Sequence, residues 1–156
     1  MVRKNIITVV NSVSPTSMPI NEFLLYRRKN YDEEGCVLTI SPLNEKHKEL
    51  FKDLKIFSFN KETLTFIKYL WNNSNHILHL HQPKTAFLVV IITLILPKQF
   101  RRIVTVHNNF EKFKWLTRIL ILFNSFFASN ITFVSHSSYN SFPKLLKINA
   151  HPSQMG

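Results

Sequence analysis

The sequence predicts an α/β domain with a parallel sheet of about six strands and helices on both faces. Two observations support this fold class. Short apolar, often β-branched runs recur along the chain, and each ends in polar, loop-forming residues. Longer runs with helical spacing of apolar residues separate them. Because strict alternation of strands and helices requires right-handed crossovers, the strands are expected to run parallel.

The first half of the chain holds three predicted strands and two predicted helices. The opening run is continuously β-branched, as is typical of a strand buried on both faces. Cations at Arg27, Arg28 and Lys29 suit the carboxyl end of the first helix. The strands are expected at residues 6–10, 36–40 and 56–59, and the helices at residues 20–29 and 44–54.

The second half continues the alternation. Pro97 stops one predicted helix, and Phe142 with Pro143 kinks or ends the last one. Strands are expected at residues 77–80, 103–106 and 131–134, and helices at residues 63–71, 84–96, 114–127 and 135–146. With 156 residues, 45% of them hydrophobic, the chain is long enough for one domain with a packed core.

Glycine and cysteine usage excludes several kinds of site. The two glycines are Gly35 and Gly156, so neither a dinucleotide-binding G-x-G-x-x-G motif nor a Walker A motif is present. Cys36 is the single cysteine, which excludes an intrachain disulfide and is expected to be a buried, inert thiol. No serine lies in a G-x-S-x-G elbow, and the scarce acidic residues do not support paired-carboxylate chemistry.

The net charge of +11 favours an anionic partner, such as nucleic acid, anionic lipid or a phosphorylated small molecule. A solvated basic surface with no specific partner is the alternative. Because Lys and Arg are spread along the chain and no recognition motif is present, we expect no nucleic-acid partner.

Ligands of parallel sheets bind beyond the carboxyl ends of the strands, where the strand order reverses. The residues that follow each predicted strand are therefore the candidates for a site. They are residues 11–17, 41–42, 81–84, 107–110 and 135–138.

Three histidines lie on two of these strands. His79 and His81 are two residues apart and should face the same side, and His107 ends the following strand. Three interpretations remain open: a metal site, a core His79 bonded to the backbone, or His81 and His107 facing a ligand. The lack of an Asp, Glu or Cys beside them disfavours the metal site, and we predict none.

Two further stretches have competing interpretations. The hydroxyl-rich loop that contains Ser12 and Ser14 precedes a predicted helix, where it would bind an anion or simply cap the helix. The basic and aromatic stretch around Lys112, Lys114 and Trp115 would lie on an anionic membrane surface, or would be a core-facing helix with a solvated basic flank.

The run HILHLHQPKTAFLVVIITLILPKQFRRIVTVHNNF, residues 76–110, resembles the amino-terminal domain of the family 4 glycosyltransferases, which have the GT-B fold. In that family one strand ends in His-x-His before a Pro-Lys loop and an apolar helix, the next ends in Thr-x-His, and a later one ends in Val-Ser. The matching residues are His79 with His81, Thr105 with His107, and Val134 with Ser135. The resemblance covers roughly residues 4–146.

This resemblance implies one Rossmann-like half of a GT-B enzyme, with residues 1–147 as the acceptor-side domain and residues 148–156 as an unassigned tail. The carboxy-terminal, donor-binding domain is expected to be absent. The implied function is hexosyl transfer from a nucleotide-sugar donor to a lipid-linked or saccharide acceptor in surface polysaccharide synthesis, such as capsule or O-antigen. Alone, the domain is expected to be inactive, as a fragment or half of a split enzyme.

The resemblance and the strand-end argument together select the candidate site residues. The catalytic candidate is His107, and the substrate-binding candidates are Ser12, Ser14, His81, Lys84, Asn108, Asn109 and Ser135. No cofactor is expected. The implied location is the cytoplasm, peripheral on the inner face of the plasma membrane. The alternative function is a non-enzymatic module that binds sugar phosphate, anionic lipid or a protein partner.

Overall fold

The computed structural model describes residues 6–13, 36–41, 51 and 55–152. The predicted helix at residues 20–29 lies outside the described residues, as does the helix at residues 44–54 except for its buried Phe51. Ser14 also lies outside them.

The described residues form one seven-stranded sheet in which every pairing is parallel. The predicted fold class is confirmed, and all six predicted strands are present. A seventh strand, which no sequence pattern predicted, forms from the unassigned tail. The strands are β1 (Ile6–Val9), β2 (Cys36–Thr39), β3 (Lys55–Ser58), β4 (Ile77–Leu80), β5 (Arg101–Val106), β6 (Asn130–Phe133) and β7 (Ala150–Pro152).

The strand order is β3-β2-β1-β4-β5-β6-β7. The chain therefore adds strands to one side of β1 first and then returns to build on the other side. The order reverses between β1 and β4, where Thr8 is in register with His79 and Val9 with Leu80. In open parallel sheets, ligands bind at the carboxyl edge beside such a reversal of strand order.

Four α-helices connect the described strands: α1 (Phe59–Asn72), α2 (Pro83–Ile95), α3 (Trp115–Phe126) and α4 (His136–Ser141). Short 3-10 helices cover Phe110–Lys112 and Lys144–Asn149. Pro83 occupies the first turn of α2, where its fixed φ and missing N–H cost nothing. The last predicted helix ends at Phe142, as its Pro143 predicts. No helix in the described ranges is long and apolar enough to cross a membrane.

The boundary between β3 and α1 differs from the expectation. Phe59 was predicted to end the strand, yet it begins the helix. The carboxylate of Glu62 accepts a hydrogen bond of 3.0 Å from the backbone N–H of Ser58. This bond satisfies a backbone donor at the start of the helix. A kink at Glu62 (φ −130°, ψ 26°) separates this first turn from the rest of α1, which follows the predicted apolar spacing.

Apolar side chains on both faces of the sheet form the core. The larger cluster joins Leu78, Leu80 and Val104 of the strands to Phe66 of α1 and Val89 of α2. A smaller cluster contains Val10, Val13, Val37 and Phe51. Cys36 is buried as predicted, and this burial raises its thiol pKa to about 12, which disfavours the reactive thiolate.

Arg102 joins three elements at the amino end of β5. Its Nε donates to Thr93 Oγ1 of α2 at 3.0 Å, and its Nη1 donates to the carbonyl of Phe127, just after α3, at 3.2 Å. Partial burial lowers the pKa of Arg102, but a guanidinium stays protonated in proteins. The side chain therefore pins the ends of α2 and α3 to the sheet.

We predict that Arg102→Lys lowers the free energy of unfolding by about 1–2 kcal/mol. A lysine ammonium cannot donate both to Thr93 and to the carbonyl of Phe127, as the guanidinium does. The neighbouring exposed Arg101 offers a matched control, and Arg101→Lys should change stability by less than about 0.5 kcal/mol. Urea unfolding followed by circular dichroism measures both values. Equal stabilities for the two variants would contradict the bridging role.

Candidate active site

The carboxyl ends of β4 and β5 bring three imidazole rings together. His81 Nδ1 lies 3.1 Å from His107 Nε2, and the two ring centroids are 5.3 Å apart. The ring of His79 lies 4.0 Å from that of His81. The expectation that these imidazoles meet at one edge of the sheet is confirmed. It follows from the two-residue period of a strand and from the pairing of β4 with β5.

His79 continues this contact into the sheet. Its Nε2 lies 2.8 Å from Thr105 Oγ1, which in turn lies 2.8 Å from Thr132 Oγ1. One interpretation of His79 was a core histidine bonded to the backbone, whereas this bond is to a side-chain hydroxyl. The hydrogen bonds from His79 to Thr105 and from Thr105 to Thr132 fix the orientation of the His79 ring. The His79 ring in turn packs against the ring of His81.

The His81–His107 bond uses Nε2 of His107, so Nδ1 is the nitrogen of this ring that the bond does not use. One ring donates an N–H to the facing nitrogen of the other, so protonating both rings would replace this hydrogen bond by two cationic rings whose facing nitrogens lie 3.1 Å apart. Although His107 is exposed as a whole residue, partial desolvation of its ring lowers its pKa below the ordinary 6.5. His107 is therefore predominantly neutral at neutral pH. Among the described residues, no three His, Cys, Asp or Glu side chains are arranged so that they could hold a metal ion together.

The loop after β1 is tied to the start of α2. The backbone N–H of Asn11 donates to Gln82 Oε1, and Thr85 Oγ1 donates to Asn11 Oδ1. These bonds cross the point where the strand order reverses. Sequence reasoning placed Asn11 and Gln82 in candidate ranges but did not select them, and their positions directly after strands were the available signal.

A pocket of about 360 Å³ opens beside the paired histidines, between the carboxyl ends of β4 and β5, the first turn of α2, and Ile121 and Asn124 of α3. Its rim is polar, with His81, Gln82, His107 and Asn108. Its apolar wall consists of Leu80, Ala86, Val104, Val106, Phe113 and Ile121. The shape and lining suit a ligand with one polar and one apolar part.

Asn124 of α3 also lines this pocket, and sequence reasoning missed it because it lies inside an apolar helix. Its Nδ2 donates to the carbonyl of Pro83 at 2.9 Å, which holds α3 against the start of α2. Its Oδ1 is buried and has no hydrogen-bond partner within the described part of the chain.

The other predicted site residues are spread along the same edge. Ser12 and Lys84 are exposed, with Lys84 in the first turn of α2. Asn109 Oδ1 accepts a bond of 2.9 Å from Ser137 Oγ. Ser135 Oγ accepts from the backbone N–H of Ser138 at 3.1 Å and so caps α4. Three of the predicted site residues line the pocket: His81, His107 and Asn108.

Two solved structures resemble this chain over nearly its whole length. Anabaena HepE, crystallised in complex with UDP, has a TM-score of 0.70 and 14% identity, and the match covers 95% of this chain and 43% of HepE. The lipopolysaccharide outer core galactosyltransferase WaaB, in its apo form, has a TM-score of 0.68 and 12% identity, with 94% and 44% covered.

The chain thus spans less than half the length of either protein. At these identities the likeness establishes the fold, an α/β domain matching one half of each. No protein-family model matches the chain, and no curated protein matches it.

We predict that His107 titrates below pH 6.5 in NMR of its ring resonances. A lowered pKa in the folded state means that the unfolded chain binds the proton more readily. The free energy of unfolding is therefore highest above about pH 6.5 and decreases at lower pH. Urea unfolding at about pH 7.5 and about pH 5 measures this loss, and His107→Gln should reduce it. A His107 pKa at or above 6.5 would contradict the described desolvation.

Proposed function

We propose that this chain is the acceptor-side domain of a family 4 glycosyltransferase. The enzyme would transfer a hexose from a nucleotide sugar to a lipid-linked or saccharide acceptor in surface polysaccharide synthesis. The observation that carries the proposal is the paired His81 and His107 at the rim of a pocket beside the reversal in strand order. Likeness in fold to a galactosyltransferase and to a UDP-bound protein supports the reaction class.

His107 is the residue that we assign to the reacting sugar. A neutral imidazole can donate or accept a hydrogen bond to a sugar hydroxyl or a phosphate oxygen, and its lowered pKa keeps it neutral. The bond to His81 engages Nε2, and the proposal therefore assigns Nδ1 to the ligand. In this scheme His81 holds the ring of His107, and Asn108 adds a second polar group at the rim.

The positive charge at the start of α2 would attract an anionic group of the substrate. The amino end of this helix carries the positive end of its dipole, and Lys84 adds a full positive charge there. A lysine in a first turn disfavours the helix by itself. The arrangement is therefore better explained by an anion, such as a donor diphosphate or an acceptor pyrophosphate. The proposal also assigns Ser12 and Ser14, which follow β1 in the sequence, to binding this anion.

The proposed enzyme needs a second, donor-binding domain outside these 156 residues, on the same polypeptide or on a partner. The proposed acceptor is lipid-linked because the pocket joins a polar rim to an apolar wall. That acceptor would bring the protein to the inner face of the plasma membrane. Asn109 and Ser135 lie along the edge that would face the second domain.

We predict that His107→Ala lowers turnover at least about 100-fold in the enzyme assembled with its donor-binding domain, while the fold stays intact. A panel of nucleotide sugars identifies the donor, and release of the nucleoside diphosphate measures turnover. The matched control is His76→Ala, because His76 precedes β4 at the opposite end of the strand. Circular dichroism checks that both variants fold.

Unaltered turnover in His107→Ala would refute the assignment of this residue. No turnover with any donor, together with no binding of nucleotide sugars by the assembled protein, would refute the transferase proposal. Binding of sugar phosphate without turnover would instead support the alternative of a non-enzymatic binding module.

A further inference from the structure

Asn124 places a buried amide at the wall of the pocket. It lies in α3, among mainly apolar residues, and only 1% of its surface is exposed. Asparagine has a lower helix propensity than leucine, and burial of an amide is unfavourable unless the amide is hydrogen bonded. The contacts of the side chain therefore decide whether an asparagine is favourable at this position.

The fold uses one half of this amide. Nδ2 donates to the carbonyl oxygen of Pro83 at 2.9 Å. This bond also fixes the orientation of the amide, because the reverse orientation would place two acceptor oxygens against each other. Oδ1 is left as a buried acceptor with no partner among the described residues. The packing of α3 against α2 thus explains the donor of Asn124 but not its acceptor.

Other polar side chains that line the pocket have partners within the protein. Gln82 Oε1 accepts from the backbone N–H of Asn11, and Thr105 Oγ1 lies 2.8 Å from His79 Nε2. These two side chains are therefore engaged by the fold itself. The Oδ1 of Asn124 is available to pair with a group that enters the pocket.

The surroundings of Asn124 make such a pairing selective. Away from its polar rim, the pocket has an apolar wall in which few water molecules compete for a hydrogen bond. A buried acceptor that stays unpaired costs free energy, so a ligand that pairs with it is preferred to an analogue that cannot. The apolar residues of this wall are Leu80, Ala86, Val104, Val106, Phe113 and Ile121.

We propose that Asn124 is a specificity-determining residue, whose Oδ1 accepts a hydrogen bond from an O–H or N–H group of the ligand in this pocket. The apolar wall packs against the carbon skeleton that carries this group. A saccharide hydroxyl or amide N–H satisfies Oδ1, whereas a plain hydrocarbon chain leaves it unpaired. The inference rests on the proposed function only in taking the ligand to be the sugar acceptor.

The test uses two pairs of small probes that differ in one O–H or N–H group: indole with benzofuran, and phenol with toluene. NMR titration of the full chain, followed at the methyl groups of Ile121, measures binding in the pocket. We expect indole, phenol or both to bind at least about tenfold more tightly than the matched probe. A wholly apolar pocket would show the opposite preference, because it would bury an unpaired N–H or O–H.

A preference in one pair alone supports the proposal and identifies the group that Asn124 selects, N–H or O–H. No preference in either pair, or no binding of any of the four probes, would overturn it. In the unaltered chain, the side-chain carbonyl carbon of Asn124 should also shift in NMR with the preferred probe and not with its matched partner. The absence of this shift would overturn the proposal as well.

A variant separates the acceptor from the structural role of Asn124. Asn124→Leu removes Oδ1 at similar side-chain size, and the preference should fall below about twofold or reverse. The matched control is Ser125→Ala, because Ser125 Oγ is also buried without a partner among the described residues but does not line the pocket. This control should keep the preference of the unaltered chain.

Equal losses of affinity for all four probes in Asn124→Leu would show that Asn124 only holds α3 in place, and would overturn the proposal. An unchanged preference in this variant would do the same. These titrations contain no nucleotide sugar and no second domain. Failure of the transfer assay would therefore leave their result standing, and equal binding within both pairs would leave the assignment of His107 untouched.

Discussion

The pairing of β1 with both β2 and β4 is the constraint on which the candidate site depends. Because the chain builds outward from β1 in both directions, the strand order reverses between β1 and β4, and ligands of such sheets bind beside this reversal. Hydrogen bonds from Asn11 to Gln82 and from Thr85 to Asn11 join the two strand ends at this point. They hold the start of α2 in place, and the first turn of α2 forms one wall of the pocket.

The histidines depend on the same pairing. Parallel register places the ends of β4 and β5 side by side, so His81 and His107 meet although 26 residues separate them. Partial desolvation lowers the pKa of His107 and so favours its neutral form, which is suited to hydrogen bonding with a ligand. His81 and His107, which the sequence left open as metal ligands or as groups that face a ligand, form a hydrogen-bonded pair at the rim of the pocket.

Helix α3 combines two features. The buried Oδ1 of Asn124 and Oγ of Ser125 have no hydrogen-bond partner among the described residues, and apolar side chains are exposed on the outer side of the helix. The Nδ2 of Asn124 donates a hydrogen bond to the carbonyl of Pro83 at the wall of the pocket. The exposed apolar side chains and part of the pocket lining therefore belong to the same helix, α3.

The sequence by itself determined the strands and helices of the second half and their parallel arrangement, because hydrophobic periodicity and Pro97 are local signals. It also identified His81 and His107 as strand-end residues. Only the tertiary structure decided that their rings bond to each other and that residues 150–152 form a seventh strand. Such features arise from contacts between distant segments, which no local pattern of residues encodes.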